Sequence, residues 1–265
     1  MERAEICYKT VDGASLHLQV FRPENRREAR TVPAVVFFFG GGWVNGSPEQ
    51  FFRQCEYLAS RGMVAFSAEY RVRDQHGVTP FACVADGKSA IRWVRAHASE
   101  FLIDTSRIVA SGGSAGGHVA ACTAILEGLD EPGENTQVSS SPNALILFNP
   151  VLDLFSLTCS GNGDEMLSAE QKKQLSPEYH VRAGLPPTLI FHGTVDEAIS
   201  FTSAERFSRL MRTAGNACTL IPFEGKNHGF FNYDREADHG SYFKTLRLSD
   251  HFLGSLGYLN GAPAI

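Results

Sequence analysis

A chain of 265 residues with 43% hydrophobic and 20% charged residues can bury a sizeable core without disulfide or metal staples. The formal net charge of −5 argues against a nucleic-acid partner, because binding to phosphates requires clustered lysine and arginine. The densest basic cluster is interrupted by Glu24 and Glu28 and is predicted to be a solvated loop. Its arginines are Arg22, Arg26, Arg27 and Arg30.

The cysteines and the apolar runs exclude further classes of protein. Six cysteines are scattered without any C-x-x-C spacing, which indicates neither a zinc site nor a dense disulfide framework. Residues 1–10 contain Glu2 and Glu5 and no apolar run, so no signal peptide is expected there. The longest apolar run, residues 32–39, is far too short to span a membrane. We therefore expect a cytoplasmic protein, or a secreted or periplasmic one if a signal segment was removed.

The predicted elements alternate between strands and helices along the chain. Strands are expected over residues 16–21, as an exposed antiparallel strand, and over 34–39, 63–67, 107–110, 144–148, 188–192 and 217–221. Helices are expected from Ser47, from Thr79, and over residues 115–126, 202–214 and 241–256, with a surface loop over 128–143. This alternation predicts an α/β fold in one domain, residues 1–265, with a mostly parallel sheet and helices on both faces.

The strongest motif lies between the predicted strand at 107–110 and the helix that follows it. Residues 112–116 read Gly-Gly-Ser-Ala-Gly and fit the pattern G-x-S-x-G. A sharp turn from strand to helix forces the serine into a strained conformation, and small neighbours are needed for the chain to double back. The turn exposes the hydroxyl at a helix N-terminus, where negative charge is favoured. Ser114 is therefore the predicted nucleophile, and no lysine follows the glycines as a phosphate-binding loop would require.

A second glycine-rich segment follows the first buried strand, with the sequence Phe-Gly-Gly-Gly-Trp at residues 39–43. Successive glycines allow backbone N–H groups to approach a developing oxyanion. The segment resembles the H-G-G-G-W loop of the hormone-sensitive-lipase family and of the related BD-FAE-type esterases, members of the α/β-hydrolase superfamily. The resemblance implies that Gly41, Gly42 and Ala115 supply the oxyanion hole. Phe39 stands where the family has histidine, which puts the geometry of the loop in question.

A serine nucleophile needs a base, and the base needs a carboxylate that orients it. In α/β hydrolases the acid and then the histidine follow the serine along the chain. Asp196 resembles the family's acid in its H-G-x-x-D setting, and His228 resembles the base in its G-x-x-H-G-F segment. Asp153, which follows the strand at 144–148, is an alternative acid. Glu197 and Glu224 are weaker alternatives.

The other histidines have simpler interpretations. His118 is expected to pack on the helix after the nucleophile, and His192 is expected to brace the loop that carries the acid. The remaining six lie in polar surroundings and are predicted to be surface residues: His17, His76, His97, His180, His239 and His251.

The resemblance extends over residues 33–231 and implies two-step acyl transfer without a metal or cofactor. Only 38 residues precede the glycine loop, which favours the small BD-FAE-like acyl esterases over relatives with a large N-terminal cap. Residues 153–184 are predicted to form a small lid insertion, and a slight lid predicts an open site. Trp43, Phe230 and Phe231 are candidates to line the substrate pocket, with packing in the core an equal alternative for the two phenylalanines.

The expected substrates are short-acyl esters, acetyl foremost, of a small molecule or a carbohydrate. A thioesterase is an alternative because the same triad attacks thioesters, and a prolyl-oligopeptidase-type peptidase would need a propeller domain for which there is no sequence. A binding protein on a disabled hydrolase fold, which the gibberellin receptor resembles, would typically lack a triad member. The last strand and the last helix are the candidate surfaces for a homodimer.

Overall fold

The computed structural model describes residues 2–23, 30–158, 160–237 and 239–265, so Arg26, Arg27 and Cys159 lie outside the described residues. Within these ranges eight strands form one sheet in the order β1-β2-β4-β3-β5-β6-β7-β8. The strands from β4 to β8 in this order pair in parallel, whereas β2 pairs antiparallel with both β1 and β4. The strands are β1 Glu2–Val11, β2 Ala14–Arg22, β3 Val32–Phe38, β4 Val64–Ala68, β5 Ile103–Gly113, β6 Ala144–Phe148, β7 Thr188–Gly193 and β8 Cys218–Phe223.

Seven α-helices are found in the described ranges, and short 3-10 helices accompany them. The α-helices are α1 Phe52–Ser60, α2 Arg73–His76, α3 Pro80–Ala96, α4 Ala115–Ile125, α5 Ala169–Leu175, α6 Phe201–Thr213 and α7 Gly240–Ser255. The 3-10 helices are Pro48–Phe51, Leu154–Ser156, Pro177–His180 and Tyr233–Arg235. None of the helices in the described part of the chain has both the length and the apolar character that crossing a membrane requires.

The central strands are apolar throughout because both faces of the sheet are covered. In β3 the side chains of Val36 and Phe38 belong to one buried cluster, whereas Val35 and Phe37 belong to the cluster on the opposite face. This division follows from the alternation of side chains along a strand. The first cluster includes residues of α3, α4 and α6, and the second includes residues of α1 and α7. The predicted α/β class, with helices on both faces of a mostly parallel sheet, is confirmed.

Two predictions about individual strands were wrong in part. Residues 16–21 do form an antiparallel strand, but it is not exposed, since Leu18 and Val20 are fully buried and Phe21 nearly so. Polar residues on this strand suggested a solvated face, yet even Gln19 is buried at 7% exposure. The strand predicted at 107–110 extends in both directions and includes Gly113, so the glycines before Ser114 belong to β5 rather than to a loop.

Candidate active site

Ser114 occupies the single-residue turn between β5 and α4. Its backbone has φ 56° and ψ −123°, a left-handed conformation that costs free energy for a residue with a side chain. The N–H of Ser114 donates to the carbonyl of Phe148 on β6 at 2.9 Å, and its own carbonyl accepts from the N–H of His118 at 3.0 Å. The strained turn is thus held from both sides, and it leaves the serine side chain half-buried.

The glycines of the motif are required by their neighbours. A Cβ atom at Gly112 would lie 2.4 Å from the carbonyl oxygen of Gly116, and one at Gly116 would lie 2.1 Å from that of Phe38. A Cβ at Gly113 would meet the ring of Phe231 at 2.3 Å. These distances are shorter than any real contact, so side chains at these positions would displace backbone or a buried ring. The small residues that define the sequence motif are therefore a steric requirement of the turn.

The structure brings Ser114, His228 and Asp196 into one hydrogen-bonded chain. The Nε2 atom of His228 lies 3.0 Å from the hydroxyl oxygen of Ser114, and its Nδ1 atom lies 2.8 Å from Oδ2 of Asp196. Each residue comes from the carboxyl end of a different strand, because Ser114 follows β5, Asp196 follows β7 and His228 follows β8. In a parallel sheet these ends meet at one edge. Asp196 therefore lies near both partners, although it follows Ser114 by 82 positions and precedes His228 by 32.

The environment of Asp196 keeps its carboxylate charged. Its side chain is completely buried, and Oδ1 accepts from the N–H groups of Ala198 and Ile199 at 2.9 Å each. Burial raises the pKa of Asp196, but the hydrogen bond and charge of His228 outweigh burial and leave that pKa below its ordinary value. An ionised Asp196 therefore holds the proton of His228 on Nδ1, which leaves Nε2 free to accept a proton from Ser114.

The rival acid has other partners. Asp153 caps the 3-10 helix Leu154–Ser156 by accepting from the N–H of Phe155 at 3.0 Å. Its second oxygen forms an ion pair with Arg206 at 2.7 Å. The geometry thus gives Asp153 a role in anchoring the segment after β6 to α6.

Two further histidines are completely buried close to the site. His118 accepts from the indole N–H of Trp43 at 3.2 Å and lies 2.8 Å from the carbonyl of Leu175, so it packs on α4 as expected. The Nδ1 atom of His192 lies 3.1 Å from the carbonyl of Gly193, while its Nε2 atom has no partner among the described residues. Burial lowers the pKa of both side chains.

The glycine loop of residues 40–42 lines the cavity beside Ser114. Gly41 has φ +128° and Gly42 has φ +62°, and a Cβ on Gly41 would lie 2.1 Å from the carbonyl oxygen of Asn45. Within the described ranges, no acceptor pairs with the backbone N–H of Gly41, Gly42 or Ala115. Three unpaired N–H donors beside the serine are what a developing oxyanion would need.

Phe39, which replaces the family's histidine, is buried at 3% exposure. Its ring stacks on that of Tyr70 with centroids 4.2 Å apart. The Tyr70 hydroxyl donates to the Phe39 carbonyl at 2.6 Å, and Gln50 accepts from the N–H of Gly40 at 2.6 Å. These contacts position the start of the loop without an imidazole.

A cavity of about 280 Å³ is lined by Ser114, His228, the glycine loop and Ala115. Of the three aromatic candidates, Trp43 and Phe231 line it although both are nearly buried. Phe230 does not contribute to the lining and stacks instead on Phe223, with ring centroids 4.5 Å apart. Phe230 and Phe231 both belong to the buried cluster that includes residues of α1 and α7, and of the two only Phe231 also lines the cavity.

Several lining residues escaped the sequence analysis. Leu157 and Asn162 belong to the predicted lid segment, and the N–H of Gly163 donates to the carbonyl of Gly42 at 2.8 Å. Gln50 and Arg235 come from two 3-10 helices that are distant in the sequence. Neither residue lies in a motif, so no signal in the sequence distinguished them from surface residues.

The strand order, and a serine on a strained turn after the fifth strand, define a protein of the α/β-hydrolase class. The BD-FAE family model matches residues 18–211. The chain therefore belongs to the BD-FAE family.

The chain is also similar to solved structures and curated proteins that are named as esterases. Esterase 2 of Thermogutta terrifontis, solved in a form phosphoramylated by tabun, is 51% identical, with a TM-score of 0.91 over 98% of this chain and 96% of that one. A probable isoprenylcysteine alpha-carbonyl methylesterase of Arabidopsis thaliana is 29% identical over 80% of this chain and 48% of its own length. Esterase LipQ of Mycobacterium tuberculosis is 26% identical over 76% of this chain and 50% of its own. The chain thus spans about half the length of the curated relatives it matches.

Proposed function

We propose that this protein is a serine carboxylesterase that hydrolyses short-acyl esters, acetyl esters foremost, through an acyl-enzyme intermediate. The observation that carries the proposal is the hydrogen-bonded chain from Ser114 through His228 to the buried carboxylate of Asp196. A serine hydroxyl is a weak nucleophile until an adjacent base removes its proton, and here the base is within hydrogen-bond distance.

In the proposed reaction, Ser114 attacks the ester carbonyl carbon while His228 takes the hydroxyl proton on Nε2. Asp196 stabilises the resulting imidazolium and holds its orientation. The N–H groups of Gly41, Gly42 and Ala115 stabilise the negative charge on the carbonyl oxygen. His228 then returns the proton to the leaving alcohol, and water releases the acid from Ser114 by the same steps.

The size of the cavity supports a short acyl group. A volume of about 280 Å³ leaves space for a small ester, and Leu157 and Asn162 belong to its lining. We interpret residues 153–184, to which both belong, as a small lid. Structures of Thermogutta terrifontis esterase 2 have been solved with propionate and with butyrate bound. Acetylated sugars are the substrates that test whether the alcohol part of the ester is a carbohydrate.

The first experiment measures hydrolysis of p-nitrophenyl acetate, butyrate and octanoate by the wild type and by Ser114→Ala. We expect the acetate and butyrate to be cleaved faster than the octanoate, and the substitution to remove nearly all activity. Paraoxon should phosphorylate Ser114, as it does the esterase of Thermogutta terrifontis, and peptide mass spectrometry would locate the adduct. A folded Ser114→Ala protein with full activity would refute the assignment.

The two candidate acids provide a matched pair of variants. Asp196→Asn should lower kcat by about 10³- to 10⁴-fold, because the amide no longer holds the required tautomer of His228. Asp153→Asn should keep kcat within a few-fold and lower the thermal midpoint, since it loses an ion pair with Arg206. The opposite pattern would make Asp153 the acid.

A further inference from the structure

The cavity has an apolar wall and a polar wall. The apolar wall is defined here by the lining residues Val151, Leu157, Ala198 and Ile199, of which Leu157 and Ile199 pair in a β-bridge. The polar wall is defined by Gln50, Gly229, Asn232 and Arg235, which contact one another in a continuous series. Two limbs extend from any ester carbonyl, one acyl and one alkoxy. A site with two chemically different walls therefore suits an ester whose two limbs differ in polarity.

Two of the polar residues already have partners. The Nε2 of Gln50 donates to Oδ1 of Asn232 at 3.0 Å, and the Oε1 of Gln50 accepts from the N–H of Gly40. The Nδ2 of Asn232 donates to the carbonyl of Gly229 at 2.9 Å. Their hydrogen bonds are used to hold the wall together, so neither side chain is a strong candidate to recognise a substrate.

Arg235 differs from these two residues. It is the one residue with a permanent charge among the described residues that line the cavity. Its guanidinium makes no hydrogen bond or ion pair with any part of the chain that the structure describes. The neighbouring carboxylate of Glu236 pairs instead with Lys226 at 2.5 Å and with Ser241 at 2.9 Å. A planar cation with unused donors thus stands at the cavity.

The position of Arg235 assigns it to one limb of the ester. A Cβ atom built on Gly229 would lie 3.3 Å from Nε and 3.4 Å from Nη2 of Arg235, so the guanidinium packs directly against Gly229. Gly229 follows His228, whose Nε2 must reach the oxygen of the leaving alcohol in order to protonate it. The alcohol limb therefore extends along the segment that carries Arg235.

We propose that Arg235 binds a carboxylate on the alcohol limb, so that the preferred substrates are short-acyl esters of small hydroxy acids. This proposal rests on the proposed function. The guanidinium fork matches a carboxylate with two parallel hydrogen bonds, and its charge attracts an anionic substrate to the cavity. Because Arg235 is exposed, the effect on specificity is modest: about three- to tenfold in kcat/KM.

The test compares 4-acetoxybenzoate with its neutral methyl ester, methyl 4-acetoxybenzoate, in the wild type, Arg235→Gln and Arg209→Gln. Arg209 is an exposed residue of α6 outside the cavity lining, so its substitution changes the net charge equally. We expect the ratio of kcat/KM for the anionic over the neutral ester to fall about three- to tenfold in Arg235→Gln alone. Arg209→Gln should leave both this ratio and the hydrolysis of the neutral ester within twofold of the wild type.

The outcomes separate this inference from the proposed function. One outcome is that the neutral ester is hydrolysed but the ratio of kcat/KM for the anionic over the neutral ester is unchanged in Arg235→Gln. This outcome would overturn the role of Arg235 and leave the esterase proposal intact. A ratio that falls only for mono-4-nitrophenyl succinate against p-nitrophenyl butyrate would also overturn it, because the carboxylate would then lie on the acyl limb. A wild type that cleaves neither neutral ester would overturn both proposals.

Discussion

His118 links three parts of the site, and its replacement tests how they depend on pH. The imidazole is completely buried on α4, where Nδ1 accepts from the indole of Trp43 in the glycine loop. Nε2 therefore carries the proton and donates to the carbonyl of Leu175 on α5. The thiol of Cys122, 3.3 Å from Nε2, stays neutral because burial raises its pKa. Protonation of His118 would direct a second N–H at the Trp43 indole and break this arrangement.

The loss of folding stability at low pH follows from the pKa of His118. Burial lowers this pKa from 6.5 to about 4, and the hydrogen bond to Leu175 opposes the shift by a smaller amount. As the pH falls below 6.5, the unfolded chain takes up a proton that the folded protein refuses, so stability decreases. A difference of about 2.5 pKa units corresponds to a loss of about 3 kcal/mol once the pH is below 4. Between pH 7 and pH 5 the expected loss is about 2 kcal/mol.

The assay is urea denaturation followed by tryptophan fluorescence at half-unit intervals from pH 7 to pH 5. His118→Gln keeps hydrogen-bonding groups but does not titrate, so its free energy of unfolding should depend less steeply on pH than that of the wild type. His251→Gln, on the exposed side of α7, is the control and should follow the wild type. Parallel curves for the wild type and His118→Gln would refute the reasoning, whatever their absolute stabilities.

Two further predictions concern packing and buried charge. Gly116→Ala should abolish esterase activity and destabilise the fold by about 3 kcal/mol, because its Cβ would lie 2.1 Å from the carbonyl oxygen of Phe38. The control is Gly254→Ala on α7, where the added Cβ would lie 3.9 Å from its nearest neighbour, the carbonyl oxygen of Leu259, and which should retain activity; both variants are checked by hydrolysis and urea titration. Asp86→Ala should cost about 3–5 kcal/mol in free energy of unfolding, because it removes a fully buried carboxylate that pairs with a lysine and an arginine. Asp12→Ala removes an exposed partner of the same arginine and should cost less than about 1 kcal/mol, so equal losses in urea denaturation would contradict this account.

The sequence by itself was sufficient where the requirement is local. The turn at Ser114 demands small residues on either side, and a buried strand demands a continuous apolar run, so both leave patterns that can be recognised without coordinates. The same holds for the alternation of strands and helices, from which the parallel sheet and the common edge of its loops follow. Ser114 was predicted from this local pattern, whereas Asp196 and His228 were predicted from the resemblance of their segments to those of the family's acid and base.

Tertiary structure decided what depends on partners from distant parts of the chain. Asp153 and Asp196 both follow sheet strands, and the sequence does not distinguish their partners. In the folded chain Asp153 pairs with Arg206 of α6, whereas Asp196 pairs with His228. Neighbouring Phe230 and Phe231 belong to the same buried cluster, yet of the two only Phe231 also lines the cavity. The strand at 16–21 is buried because its side chains pack into the clusters on both faces of the sheet. Arg235 belongs to no motif and gains its position from contact with Gly229. Periodicity and motifs report the backbone's local needs, whereas the partner of a side chain is set by packing across the whole sheet.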